Sequence, residues 1–166
     1  MADIDYSNAI ILLYHGVTSQ KCQGIRNFSG KHIAQDEFDR QIRYISKDCN
    51  PVSLRELVRL LRQDQPLPEK TVAITFDDSF KNVFLNGYPI LRKYNVPATL
   101  FISTGFVDQK KIVWADILEL IVDSLDADDN FSTCLANSGY RGFINLNNRE
   151  DKVKTLTQIK AYLKSS

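Results

Sequence analysis

The sequence predicts an α/β fold built on parallel strands. Three short apolar runs carry that expectation: Ala9-Ile10-Ile11-Leu12-Leu13-Tyr14, Thr71-Val72-Ala73-Ile74-Thr75-Phe76 and Ala98-Thr99-Leu100-Phe101-Ile102-Ser103. Each is bounded by turn-forming or charged residues, the pattern of a buried strand. Strands buried on both faces belong mostly to parallel sheets, where helices cover the faces. Segments of helical period lie between the runs and would supply the cover. In such folds the carboxyl ends of the strands face the ligand site. The abrupt end of the second run in Asp77-Asp78 is therefore the most informative feature of the chain.

Taken in order, the first strand closes at His15-Gly16, and a polar, aperiodic segment from Thr18 to about Ala34 is expected to be surface loop. Phe38, Ile42 and Ile45 fall at i, i+4 and i+7, predicting an amphipathic helix over about Asp36 to Lys47. Ser53-Leu54-Arg55-Glu56 is a capping-box pattern that opens a helix with Leu54, Leu57, Val58 and Leu61 on its apolar face. Gln65-Pro66-Leu67-Pro68 stops that helix before the second strand. After the aspartates, Val83, Phe84, Gly87, Ile90, Leu91 and Tyr94 mark a helix that Pro89 is expected to kink and Asn95-Val96-Pro97 to end. The third strand then completes a strand–helix–strand unit. Trp114, Ile117, Leu118, Ile121, Val122 and Leu125 predict a further helix, with Trp114 expected in its core. Asp126 to Asn137 is expected as loop and Tyr140 to Leu146 as a strand. Asn148 with Asp151 would cap a last helix carrying Val153, Leu156, Ile159 and Leu163.

The bulk composition is that of one ordinary globular domain. The chain has 166 residues, 43% of them hydrophobic and 25% charged. Lysine and arginine number 21 against 20 acidic residues, a net charge of +1 that gives no electrostatic case for a nucleic acid or anionic membrane partner. No stretch approaches the roughly 20 apolar residues of a membrane span. The acidic start, Met1-Ala2-Asp3-Ile4-Asp5, lacks the basic region of a secretory signal, so a cytoplasmic location is expected. Cys22, Cys49 and Cys134 are odd in number and widely spaced, without metal-ligand spacing or a disulfide framework.

Two neighbouring carboxylates at a strand end repel unless a cation or hydrogen bonds intervene. A divalent metal on one of them resolves the conflict and activates water, and the other can take that water's proton. Asp77 and Asp78 fit this division. Either also suits the N-cap of the following helix. His15, just past the first strand, can reach the same rim. It suits a general acid for a departing amine, or a structural hydrogen bond. His32 lies in the polar segment and is expected to face solvent. Ser79 has no histidine at a spacing that suggests a triad.

Tyr14-His15-Gly16-Val17, Thr75-Phe76-Asp77-Asp78 and Val96-Pro97-Ala98-Thr99-Leu100-Phe101-Ile102, in this order, resemble the polysaccharide deacetylase family. Phe38 to Ile45, Pro89 to Tyr94 and Trp114-Ala115-Asp116 are similar to it as well, so the resemblance spans roughly residues 9 to 125. It implies a partial, distorted (β/α) barrel within a single domain over 1–166, the amino-terminal part of the family's domain. It also implies metal-dependent removal of N-acetyl groups from a polysaccharide or saccharide, with Asp77 as catalytic base, His15 as general acid and Asp78 as ligand of a divalent metal, zinc above all. The family's site takes two further histidines spaced H-x-x-x-H. This chain has only His15 and His32, so little metal binding or turnover is expected of it alone. A partial barrel exposes strand edges, which makes homo-oligomers an expectation. Two rival readings are a non-catalytic saccharide-binding or scaffold module with the same fold, and a phosphoryl-transfer protein holding Mg²⁺ at the acidic strand end.

Overall fold

In a computed structural model of the chain, residues 9–20, 23–78, 80–108, 112–126, 130–142 and 144–165 are described. Cys22, Ser79 and the first residues, on which expectations were placed above, lie outside them. The chain divides into two compact units, one of residues 1–21 with 30–110, the other of residues 22–29 with 111–166.

The first unit is built on a parallel sheet centred on β5 (Thr71–Phe76). All six residues of β5 are buried, as its continuous apolar pattern predicts. One edge pairs along its whole length with β1 (Ala9–Tyr14), in a register that sets Ala9 beside Thr71 and Tyr14 beside Phe76. Its other edge is divided. The short β4 (Asn50–Val52) pairs with Thr71 to Ala73, and β6 (Ala98–Leu100) with Ile74 to Phe76. Every pairing in this sheet is parallel, which bears out the α/β expectation.

Val72, Ile74 and Phe76, the alternate residues of β5, join one core with Phe38, Ile42 and Ile45 of helix α1 (Gln35–Asp48) and Ile90 and Leu91 of helix α3 (Tyr88–Tyr94). The spacing of the three α1 residues puts them on one face, and all three are buried. Helix α2 (Leu54–Arg62) starts at Ser53, whose hydroxyl accepts the Glu56 amide at 3.1 Å as the capping-box pattern predicts. Its other half is missing: Glu56 pairs with Arg59 instead of reaching back.

The structure departs from the sequence expectations in several places. β1 is an edge strand, and Ile10, Ile11 and Leu13 are each more than half exposed. Apolar density alone cannot distinguish a central strand from an edge. The polar segment is not all loop: β2 (Gly16–Thr18) and β3 (His32–Ala34) form a separate two-stranded parallel sheet. Pro89 does not kink a continuous helix. A π-helical turn over Val83–Gly87 precedes α3, so the proline sits in the first turn of α3, where its missing N–H costs nothing. Asn95 ends α3 in the left-handed region, at φ 53°. β6 stops at Leu100, three residues earlier than the apolar run.

The second unit contains helix α5 (Trp114–Ser124), helix α6 (Phe131–Asn137) and helix α7 (Arg149–Ser165), after the short helix α4 (Thr104–Asp108) of the first unit. Ile25, Val122, Leu146 and Leu156 form its core. Loop 23–29 is held by α5, with the Ile25 amide donating to Asp123 at 2.8 Å and the Asn27 amide to Glu119 at 3.0 Å. The Asn148 side chain accepts the Asp151 amide at 3.0 Å at the start of α7, as its sequence suggests. Three expectations fail here. Phe131 to Asn137 is helix rather than loop, no strand forms over the described part of Tyr140 to Leu146, and Trp114 is 44% exposed at the start of α5 rather than core. Cys134 is exposed and Cys49 partly buried. Among the described residues, no helix is long and apolar enough to cross a membrane.

Candidate functional site

The carboxyl ends of β1, β5 and β6 are level, with Tyr14, Phe76 and Leu100 in register. The Asp77 amide extends the ladder by donating to the Tyr14 carbonyl at 3.0 Å, and the Phe101 amide donates to the Phe76 carbonyl at 2.8 Å. His15 and Asp77 are therefore the first residues past two neighbouring strands, at the same end of the sheet. Both are half-buried. Among the described residues, no hydrogen bond or ion pair links His15 directly to Asp77 or Asp78.

The rim is braced from beneath by aromatic packing. The Tyr14 ring meets Phe38 edge-on with centroids 5.2 Å apart and lies 5.5 Å from Phe76. Its hydroxyl donates to Gln41 Oε1 at 2.7 Å. Burial, with the Glu37 carboxylate nearby, pushes the Tyr14 hydroxyl's pKa above its ordinary value, so it remains a neutral donor. This fixes the residue immediately before His15.

Asp78 leaves the strand direction. Its φ of 66° lies in the left-handed region, which aspartate tolerates better than most residues other than glycine. Its Oδ2 lies 3.3 Å from Lys31 Nζ. Lys31 also places its ammonium 4.4 Å from the centre of the Phe80 ring. The structure thus separates the two aspartates: Asp77 continues the sheet beside His15, and Asp78 turns to a lysine.

His32 contradicts the expectation of a solvent-facing loop histidine. It sits on β3 opposite Gly16, with its ring edge-on to Phe80 at 4.6 Å and its Nδ1 3.0 Å from Asn82 Nδ2. Which of the two donates follows the tautomer of the ring. Among the described residues, Asn82 Oδ1 is buried without a hydrogen-bond partner. A Cβ at position 16 would overlap His32 Nδ1, so only glycine admits the imidazole this close to the strand. Asn86 donates to the Val17 carbonyl at 2.7 Å and ties β2 to the π-helical turn.

Lys31, His32, Phe80 and Asn82 are the neighbours that sequence reasoning missed. Lys31 and His32 fall in a segment without apolar period, and their partners are about 50 residues away. The one available signal was scarcity, since His32 is one of only two histidines.

The described residues by themselves do not complete a metal site. Among the described residues, no group of three or more His, Cys, Asp or Glu could hold a metal ion. A catalytic zinc takes three protein ligands, and Asp78 is already paired with an ammonium.

The sequence model described as "Polysaccharide deacetylase" matches residues 64–126. A curated relative, the poly-beta-1,6-N-acetyl-D-glucosamine N-deacetylase of Staphylococcus aureus (strain MSSA476), is 33% identical over 123 residues, covering 68% of this chain and 41% of the relative. The enzyme of that name from Staphylococcus epidermidis is 26% identical over 110 residues, 61% of this chain and 38% of its own length. The chain thus spans well under half of these relatives. Among solved structures, IcaB from Ammonifex degensii aligns with a TM-score of 0.53 and 27% identity, covering 71% of this chain and 50% of that one. The Streptococcus pyogenes deacetylase PplD, solved in complex with acetate, aligns with a TM-score of 0.51 and 18% identity, covering 90% of this chain and 79% of that one, a likeness of fold alone.

Proposed function

We propose that this chain, which belongs to the polysaccharide deacetylase family, supplies the acid–base side of an N-deacetylase site. The observation that supports the reading best is the register of β1 with β5, which sets His15 and Asp77 as neighbours at one end of the sheet. In the proposed reaction, water adds to the carbonyl carbon of an N-acetyl group and gives its proton to Asp77. The carbon–nitrogen bond then breaks as His15 protonates the departing sugar nitrogen, yielding acetate and a free amine. Asp77 is suited to the first step because Lys31 engages its neighbour Asp78 and leaves Asp77 unpaired among the described residues. The Tyr14 brace and the Asp77–Tyr14 backbone hydrogen bond support the reading by fixing the backbone from which both side chains extend.

The substrate class is an N-acetylated saccharide, and the staphylococcal relatives' name points to a poly-β-1,6-N-acetylglucosamine. The family resemblance gives Asp78 to a divalent metal, zinc above all, with further ligands that the described residues do not provide. A lone chain is expected to bind metal weakly and to turn over little.

The same lysine-paired Asp78 favours a second reading, a saccharide-binding module that keeps the fold without chemistry. The two part in a titration of isotope-labelled protein with an N-acetylglucosamine oligomer, followed by amide chemical shifts. The catalytic reading predicts shifts concentrated at His15 to Val17, Asp77, Asp78 and Phe101, and affinity for the deacetylated, amine-bearing oligomer that falls about tenfold in Asp77→Asn. Shifts confined to the second unit, or amine binding unchanged in Asp77→Asn, would overturn it.

A further inference from the structure

We propose that Lys31 is an internal counter-cation for Asp78, and that a divalent metal gains this carboxylate only by displacing the lysine ammonium. The proposal rests on the reading above in one respect, that Asp78 is the aspartate on the metal side of the pair.

Three observations carry it. Lys31 is unusually enclosed for a lysine, its side chain 18% exposed beside an Asp78 side chain that is 30% exposed. An ammonium is strongly hydrated, so it gives up that much water only for compensating partners. Its partners include the Asp78 carboxylate at 3.3 Å and the face of Phe80 at 4.4 Å. The arrangement is also held from both sides. On one side, Lys31 immediately precedes β3, which is fixed by the register of His32 with Gly16 and by the contacts of His32 with Phe80 and Asn82. On the other, the left-handed backbone at Asp78 sets the direction of its carboxylate.

The electrostatic consequence follows directly. With Lys31 in place, the Asp78–Lys31 pair is neutral, and of the two aspartates only Asp77 keeps an unpaired carboxylate among the described residues. A dication approaching Asp78 meets a positive charge at contact distance in a site partly withdrawn from water, where screening is weak. Leaving the ammonium beside the metal would set two positive charges at contact distance, so binding must break the ion pair and the ring contact. That cost does not arise if position 31 is uncharged. The position would thus set metal affinity without supplying a ligand, and the lysine would protect Asp78 from unpaired burial while no metal is there.

The test is a calorimetric titration of the full chain with Co²⁺ and, separately, Zn²⁺. Lys31→Met should bind at least ~10-fold more tightly than the natural chain, because a like charge beside the metal is gone. Lys31→Arg, which keeps the cation, should remain weak. Adding Asp78→Asn to Lys31→Met should abolish the gain. Equal affinity in Lys31→Met and the natural chain would overturn the proposal, as would a gain that survives Asp78→Asn. Thermal unfolding gives a second reading that needs no metal. Asp78→Asn should lower the midpoint in the natural chain and leave it unchanged in the Lys31→Met background, whereas equal shifts in both backgrounds would show that the pair does not exist in solution. Acetate release enters neither measurement. Failure of the deacetylase reading would show in that assay, and failure of the Lys31 proposal in these.

Discussion

Tyr14 and Phe76 lie side by side on adjacent parallel strands, and the residue after Phe76 donates its amide to the Tyr14 carbonyl at 3.0 Å. That relationship converts two separate sequence features, a histidine after one apolar run and an aspartate after another, into neighbours on one rim.

Ile74 is 1% exposed at the centre of β5, whereas Ile11, on the partner strand, is 55% exposed. Ile74→Ala should cost about 2–5 kcal/mol of unfolding free energy, the range for emptying a packed core site. Ile11→Ala should cost under about 0.5 kcal/mol, as substitutions at exposed positions do. Urea denaturation of the two variants checks this, and similar losses in both would mean that the outer face of β1 is covered in solution.

Much of this framework was legible in the sequence. The unbroken apolar pattern of β5 signalled burial on both faces, and Phe38, Ile42 and Ile45 signalled the buried stripe of α1. The exposure of β1 was not legible, because an edge strand is defined by what fails to pair with it, which composition does not record. Of the site, His15, Asp77 and Asp78 stood out because each closes or follows an apolar run. Lys31, His32, Phe80 and Asn82 did not, because their roles come from the β2–β3 pairing across a polar segment and from a left-handed residue at Asp78. Neither leaves a periodic trace.

The ordinary pH response of the first unit should include Asp39. This α1 carboxylate accepts from Lys93 Nζ at 2.9 Å and from the Tyr94 hydroxyl at 3.1 Å, and so joins α1 to α3. The Lys93 hydrogen bond, then that of Tyr94, holds its pKa below the usual carboxylate value. A depressed carboxylate pKa adds stability that is present above the unfolded-state value, about 3.9, and is lost as pH falls through the lower folded value. Asp39→Asn should remove that part of the acid-induced loss. The thermal midpoint of the variant, followed from pH 6 to pH 2, should therefore fall less than that of the natural chain. Because the group is partly open to water, the difference should be small, and a steeper fall in the variant would contradict the assignment.

Among the described residues, β1 leaves one strand edge without a partner in the sheet and carries Ile10, Ile11 and Leu13 exposed beside it. Such an edge invites pairing with another strand. At high concentration, small-angle scattering should show self-association that Leu13→Lys reduces, since an edge lysine disfavours pairing. A monomeric profile for the natural chain at all concentrations would count against this.

Acetate release from an N-acetylglucosamine oligomer, by the natural gene product in which these residues occur, tests the functional reading most directly. Asp77→Asn and His15→Gln should each lower the rate by about 10²- to 10⁴-fold, the usual contribution of a positioned base or acid, while the fold is retained. Release at an unchanged rate in either variant, or saccharide binding by the natural protein with no acetate formed, would contradict the assignment of this rim to N-deacetylation.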